Sequence, residues 1–196
     1  MYSQNDEERV ILELFANQPK GHLLDIGAFD GKTFSNSLAL IERGWSGVLV
    51  EPNPTSLCAL INQHGKNPDV QIIGGLITPD TGLKKFFTCN DAVSTTDESF
   101  TEIWKQAGVK FQPIWLPPVH PAAVCYGHKF DFITIDVEDG TLQIVQAMLG
   151  AFVQAKVVCV EHSVGHHTIR DELQEIFLSL DYRLVHTTGE NYIFAK

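Results

Sequence analysis

The feature that most constrains this chain is the regular alternation of short apolar runs with stretches of helical period. Segments 22–26, 47–51, 70–73, 130–136 and 157–161 are apolar and of strand length, bounded by glycine, proline or charge. Between them lie amphipathic stretches. Asp6 is placed to cap a first helix carrying Val10, Ile11, Leu14 and Phe15, and further helices are expected over 55–64, 142–152 and around Ile169, Leu173, Ile176, Phe177 and Leu180. Strands alternating with helices at this density predict a doubly wound, mostly parallel α/β sheet with helices on both faces. Segments 182–186 and 192–195, joined over Thr188-Gly189-Glu190, predict a closing antiparallel hairpin at the sheet edge.

No internal repeat, low-complexity tract or linker interrupts the pattern. With 196 residues, the expectation is a single domain over 1–196, with an N-terminal helix within 1–20. Segment 83–128 is the least regular stretch and is expected to be an irregular insert covering the acceptor site, with short strands over 83–88 and 111–116, a helix over 100–107 and a short helix opening at Pro121. The content of 44% hydrophobic residues supplies a core, and disorder is excluded. The balance of 14 basic against 24 acidic residues gives a net charge of −10 with no basic run. That gives no electrostatic ground for binding nucleic acid or an anionic membrane surface. The acidic start has no leader-like character, no apolar stretch is long enough to span a bilayer, and Cys58, Cys89, Cys125 and Cys159 form no C-x-x-C pair. The expected setting is a reducing cytoplasm, and a homo-oligomer is left open.

In an open α/β sheet, ligands bind where the strands leave the sheet at their carboxyl ends. The first strand leaves as Asp25-Ile26-Gly27-Ala28-Phe29-Asp30-Gly31. A dinucleotide fingerprint would need G-x-G-x-x-G, and its first glycine is missing. The pattern D-x-G-x-x-x-G is instead similar to the first motif of S-adenosylmethionine-dependent methyltransferases, although a plain glycine turn is the competing reading. Glu51 closes the second strand ahead of Pro52-Asn53-Pro54. A carboxylate there can accept hydrogen bonds from both hydroxyls of a ribose. Leu76 and Ile77, after the third strand, are candidates to flank an adenine, and Ser94 to hydrogen-bond the cofactor.

The next strand runs Asp131-Phe132-Ile133-Thr134-Ile135-Asp136-Val137-Glu138-Asp139-Gly140. This string resembles the D-x-x-x-I-D-V-E-G signature of FkbM-type methyltransferases. Further likenesses are L-D-I-G-A-x-D-G at 24–31, V-E-P-N-P at 50–54, Asp181-Tyr182-Arg183-Leu184-Val185 and Asn191-Tyr192-Ile193-Phe194. The likeness runs from about Leu23 to Phe194; Asp139 stands where the family carries glycine, and 100–128 match poorly. The resemblance implies a seven-stranded Rossmann-like sheet, S-adenosyl-L-methionine as cofactor, and O-methylation of a hydroxyl on a small molecule such as a natural product or sugar. Asp25, Gly27, Ala28, Gly31, Glu51, Pro52, Leu76, Ile77, Ser94 and Asp136 are then the expected cofactor residues.

The sulfonium methyl is already activated, so the protein must align the acceptor and take up its proton. Asp136, Glu138 and His162 are the catalytic candidates, with Asp136 first for positioning and His162 for the base. No metal is expected; the variant reading is a divalent ion held by Asp136, Glu161 and His162, with His166 and His167 as further ligands. An inactive cofactor-binding domain and a nicotinamide-dependent oxidoreductase are the rival classes. Leu116-Pro117-Pro118-Val119 lacks the acid or amide and the aromatic that a base-methylating D/N-P-P-Y motif requires. Trp104, Phe111 and Trp115 read as packing beneath a loop, or as the wall of an acceptor pocket.

Overall fold

The computed structural model describes residues 1–164 and 167–196. Seven segments pair into the main sheet: β1 (His22–Ile26), β2 (Ser46–Glu51), β3 (Val70–Gly74), β4 (Phe132–Ile135), β5 (Val157–Glu161), β6 (Arg183–Thr187) and β7 (Asn191–Ala195). Their spatial order is β6-β7-β5-β4-β1-β2-β3. β1 runs parallel to β2 and β4, β2 to β3, and β4 to β5, whereas β7 is antiparallel to both β5 and β6. The fold is therefore the mostly parallel, doubly wound sheet with an antiparallel closing hairpin that the sequence predicts. Its strand order reverses between β1 and β4, and that is where such sheets open a crevice.

The eight helices among the described residues are α1 (Glu7–Leu14), α2 (Leu38–Glu42), α3 (Pro54–His64), α4 (Glu98–Gln106), α5 (Pro121–Cys125), α6 (Thr141–Ala147), α7 (Leu149–Phe152) and α8 (Arg170–Ser179). Strand alternation sorts the apolar side chains into two cores. Leu23, Leu49, Phe132, Cys159 and Ile193 face α1, α2 and α3. Leu24, Val50, Ile133, Val158 and Phe194 face the opposite layer, which includes Ile144, Phe152 and Phe177. Each such fully buried side chain contributes about 1.5–3 kcal/mol, so the sheet that carries the site is held from both sides.

Two elements differ from expectation. The helix predicted over 142–152 is two helices, because Met148 leaves helical geometry at φ −110° and ψ 10°. Asp6 stands at the start of α1 but does not cap it; its carboxylate bonds Arg9 and the His186 ring instead. The segment 83–128 carries the expected strands near 83–88 and 111–116, the helix near 100–107 and the short helix from Pro121. Lys84–Thr88 pairs antiparallel with Gln112–Leu116, α4 crosses between them, and Cys89, Val93 and Phe100 form a small core of their own. Leu76–Ile77 pairs in parallel with Pro118–Val119, which stitches this region to the end of β3.

Candidate functional site

A cavity of about 410 Å³ opens at the carboxyl ends of β1, β2, β4 and β5. That size lies within the roughly 300–1,000 Å³ usual for small-molecule sites. The chain reaches it through turns that only particular residues allow. Gly27 has φ +90°, and a methyl group on it would meet the Asp136 carbonyl oxygen at 1.8 Å. The β1 and β4 exits can thus press together only because Gly27 lacks a side chain. The Asp136 amide donates to the Ile26 carbonyl at 2.9 Å, and the Gly27 and Ala28 amides both donate to the Val50 carbonyl at 3.0 Å.

Glu51 organises the next layer. One carboxylate oxygen accepts from the Phe29 amide at 2.9 Å and the other from the Asn53 amide at 2.7 Å. Phe29 sits at φ +49°, a costly conformation for a bulky residue, and the Glu51 bond spans that turn. Asn53 caps α3 by accepting from the Thr55 amide at 3.0 Å, with Pro54 at the first helical position. Its amide group donates to the Cys89 carbonyl at 2.8 Å and to Ser94 Oγ at 2.9 Å. Asn53 therefore fastens the 83–128 region to the rim of the sheet. On the far side of the opening, Thr96 donates to the Asp139 carboxylate and joins that region to the β4 exit.

Most of the expected cofactor residues converge here. Asp25, Gly27, Ala28, Glu51, Pro52, Leu76, Ile77, Ser94 and Asp136 all line the cavity, as does Glu138. Gly31 is not among the lining residues. A methyl group there would meet Leu60 and His64 instead, so its bare Cα serves the packing of the turn on α3.

His162 is not brought to the cavity, which corrects its expected role as base. It follows Glu161 directly, and successive side chains on an extended chain point to opposite sides. Glu161 lines the cavity, while the fully buried His162 ring packs on Tyr192 with centroids 4.4 Å apart. Its Nδ1 accepts from Arg170 Nε at 3.2 Å and its Nε2 lies 3.3 Å from the Thr188 carbonyl. Burial, with the Arg170 charge beside it, lowers its pKa and holds the ring neutral. The metal-binding variant loses its third ligand for the same reason. No group of three His, Cys, Asp or Glu among the described residues is arranged to hold a metal ion. His166 and the side chain of His167 lie outside the described residues.

The electrostatics are one-sided. Burial pushes Asp25 up to about 6, although the Ser37 hydroxyl donates to it at 2.5 Å. Burial also raises Glu51 to about 7, against the pull of its two backbone donors. Asp136 rises to about 7 through burial and the charges of Asp25, Glu190 and Glu7. Glu138 rises to about 8 through burial and then Asp136, Glu190 and Asp91. Glu161 lies well above the ordinary carboxylate range for the same causes. Four buried polar atoms of lining residues have no hydrogen-bond partner: Asn36 Oδ1, Trp104 Nε1, Thr134 Oγ1 and Glu161 Oε2. Buried polar atoms are seldom left so, and a bound ligand would satisfy them.

Sequence reading passed over Asn36, Asn53, Asp91 and Glu190; of the aromatics read as loop packing or pocket wall, Trp104 lines the cavity. Asn53 carried a signal, since Asn before Pro at a strand exit is a helix-start pattern. Gln4 also lines the cavity, because Glu7, fully buried, accepts from Thr188 Oγ1 at 2.8 Å and from Asn191 Nδ2 at 3.2 Å and so draws the N-terminal segment across the closing hairpin.

Comparison with known proteins gives the same picture. A family profile described as the methyltransferase FkbM domain matches residues 25–184. Among solved structures, the chain is similar to the FkbM methyltransferase of Methylobacillus flagellatus KT, with 13% identity and a TM-score of 0.60, over 91% of this chain and 44% of that one. It is similar to the precorrin-6y C5,15-methyltransferase of Geobacter metallireducens GS-15, with 13% identity and a TM-score of 0.54, over 96% of this chain and 86% of that one. A TehB-like SAM-dependent methyltransferase from Corynebacterium glutamicum aligns at 12% identity and a TM-score of 0.53, over 99% of this chain and 89% of that one. At these identities the likeness is one of fold, and this chain spans less than half the length of the Methylobacillus protein. No curated protein matches it.

Proposed function

Because the chain belongs to the methyltransferase FkbM family, we propose that it binds S-adenosyl-L-methionine and methylates a hydroxyl on a small molecule. The observation that carries this reading is Glu51. It is a 5% exposed carboxylate at the β2 exit, held by the Phe29 and Asn53 amides and lining the cavity. Two backbone donors leave lone pairs on both oxygens, which can accept from the two hydroxyls of a ribose. The residues present fit the cofactor: Asp25 and the Gly27 turn lie one strand over from Glu51, Leu76, Ile77 and Phe86 offer apolar contacts, and Ser94 stands beside Asn53.

The cofactor supplies a methyl group on a positively charged sulfur that needs no further activation. The chain must therefore exclude water, hold the acceptor in line and receive its proton. Asp136, at about 7, is matched to proton uptake near neutrality and sits at the mouth between the β1 and β4 exits. Glu138, at about 8, is placed to receive or pass on the same proton. The region 83–128 supplies Val93, Phe100 and Trp104 to the wall and so limits the size of the acceptor. No helix among the described residues is long and apolar enough to cross a membrane. A reducing cytoplasm suits the four free thiols, Cys58, Cys89, Cys125 and Cys159.

The test is a thermal-shift titration. S-adenosylhomocysteine should raise the melting midpoint, while NAD should leave it unchanged. A rise with NAD and none with S-adenosylhomocysteine would overturn the cofactor reading.

A further inference from the structure

Among the described residues, every charged side chain that lines the cavity is a carboxylate. Asp25 and Glu51 have structural partners on their own side of the opening, in Ser37 and in the Phe29 and Asn53 amides. Asp91 belongs to the 83–128 region, and the other acids stand over β4, β5 and the turn before β7. Of these, Glu161 is the anomaly: it is 7% exposed, it lines the cavity, and its Oε2 has no hydrogen-bond partner. No lysine, arginine or histidine among the described residues reaches the cavity to neutralise it. His162, the nearest candidate along the chain, points to the other side and is bonded to Arg170 and Thr188.

We infer that this part of the cavity seats a cation: the methyl acceptor carries a protonated amine, or an equivalent organic cation, bonded by Glu161 in a wall whose further acids include Glu138 and Glu190. The inference rests on the methyltransferase reading and narrows its acceptor class. A buried carboxylate with neither proton nor counter-charge is strongly disfavoured, so something positive must meet it. In the empty cavity that role falls to protons. Burial first, and then the charges of Asp136, Glu138 and Glu190, hold the Glu161 carboxyl well above its ordinary range. An ammonium group can instead bond the unpartnered Glu161 Oε2, displace that proton, and orient a hydroxyl on the same molecule toward Asp136. A phosphorylated or carboxylated acceptor would meet only like charge there. A divalent ion would need a set of ligands in reach of one point, and the described residues offer none.

The test uses matched probes that differ only in charge: glucosamine, glucose and glucuronate as one set, and tyramine, 4-ethylphenol and 4-hydroxyphenylacetate as another. Each is titrated calorimetrically into the protein with and without saturating S-adenosylhomocysteine. In at least one set the amine should bind ten-fold or more tightly than its neutral partner, with the carboxylate weakest. Glu161→Gln should erase most of that preference and leave S-adenosylhomocysteine affinity within two-fold of wild type. Equal binding of amine and neutral probe in both sets, or no binding by any probe, would overturn the inference. So would displacement of the amine by millimolar magnesium or manganese. A drop in S-adenosylhomocysteine affinity in Glu161→Gln, with the amine preference intact, would assign this carboxylate to the cofactor instead. Failure of S-adenosylhomocysteine to bind wild type would count against the cofactor reading, whereas the titrations without it read the cation preference independently.

Discussion

Gly27 and Asp136 are pressed together so closely that the Gly27 position leaves no room for even a methyl group: the Asp136 carbonyl oxygen would lie 1.8 Å from it. The first and fourth strands of the sheet are thereby locked at the mouth of the cavity. Gly27→Ala has to displace backbone, and it also forces φ +90° on a residue with a Cβ. We expect a loss of about 3 kcal/mol or more in urea unfolding, together with loss of S-adenosylhomocysteine binding. A variant of wild-type stability would mean that the two exits can separate without cost.

Glu51 and Asp136 should part company in their effects. Glu51→Ala removes the candidate ribose acceptor and the partner of the Phe29 and Asn53 amides. Hydrogen bonds to charged groups are worth about 1.5–3 kcal/mol each, so cofactor affinity should fall by a factor on the order of 10–100. Asp136→Ala should bind the cofactor much more nearly as wild type does, yet show no methyl transfer. Calorimetry on both variants checks this; unchanged affinity in Glu51→Ala would remove the ribose assignment.

Asn53→Asp isolates the fastening of the 83–128 region. The variant keeps an oxygen for the Thr55 amide but loses the amide donors to the Cys89 carbonyl and Ser94 Oγ. It also brings a second carboxylate beside Glu51. A destabilisation of about 2–3 kcal/mol is expected, with faster amide exchange across 89–96. Exchange confined to α3, with 89–96 still protected, would show that the region is held by other contacts.

The raised carboxyls make the ligand-free protein sensitive to pH. Glu138 titrates near 8 in the folded chain against an ordinary 4.5. Between those values the folded state keeps a proton that the unfolded chain has released. The unfolded state binds fewer protons, so this group's contribution to stability is present at low pH and is lost as pH rises through the window. Glu138→Gln removes the effect. Its urea midpoint should gain on wild type from about pH 5 to about pH 8, and a constant difference would contradict the raised carboxyl.

What was legible in the sequence followed from local rules. Glu51 stands out because a charge ends an apolar strand immediately before proline, and Gly27 because glycine follows a strand that ends in acid and isoleucine. Val157–Glu161 was readable to the residue from its apolar run. The error over His162 was avoidable in principle, since alternation forbids adjacent strand-end residues from sharing a face. The bonds of Asn53 were not readable, because Cys89 and Ser94 lie 36 and 41 positions away. Phe87 pairs with Pro113 across the 83–128 region, and no local pattern announces such a pairing. The break at Met148 carries no cue of its own beyond a neighbouring Gly150.

The bonds from Glu7 to Thr188 and Asn191 join positions 181 and 184 residues apart. A nascent chain emerging from the ribosome can pair β1 with β2 early, but it cannot finish the cavity then. Glu190 and the tie that draws Gln4 to the rim both wait for the closing hairpin. The cavity is thus completed only after all the strands of the sheet's parallel part, and a chain stalled before its closing hairpin would display the Gly27 turn with one wall missing.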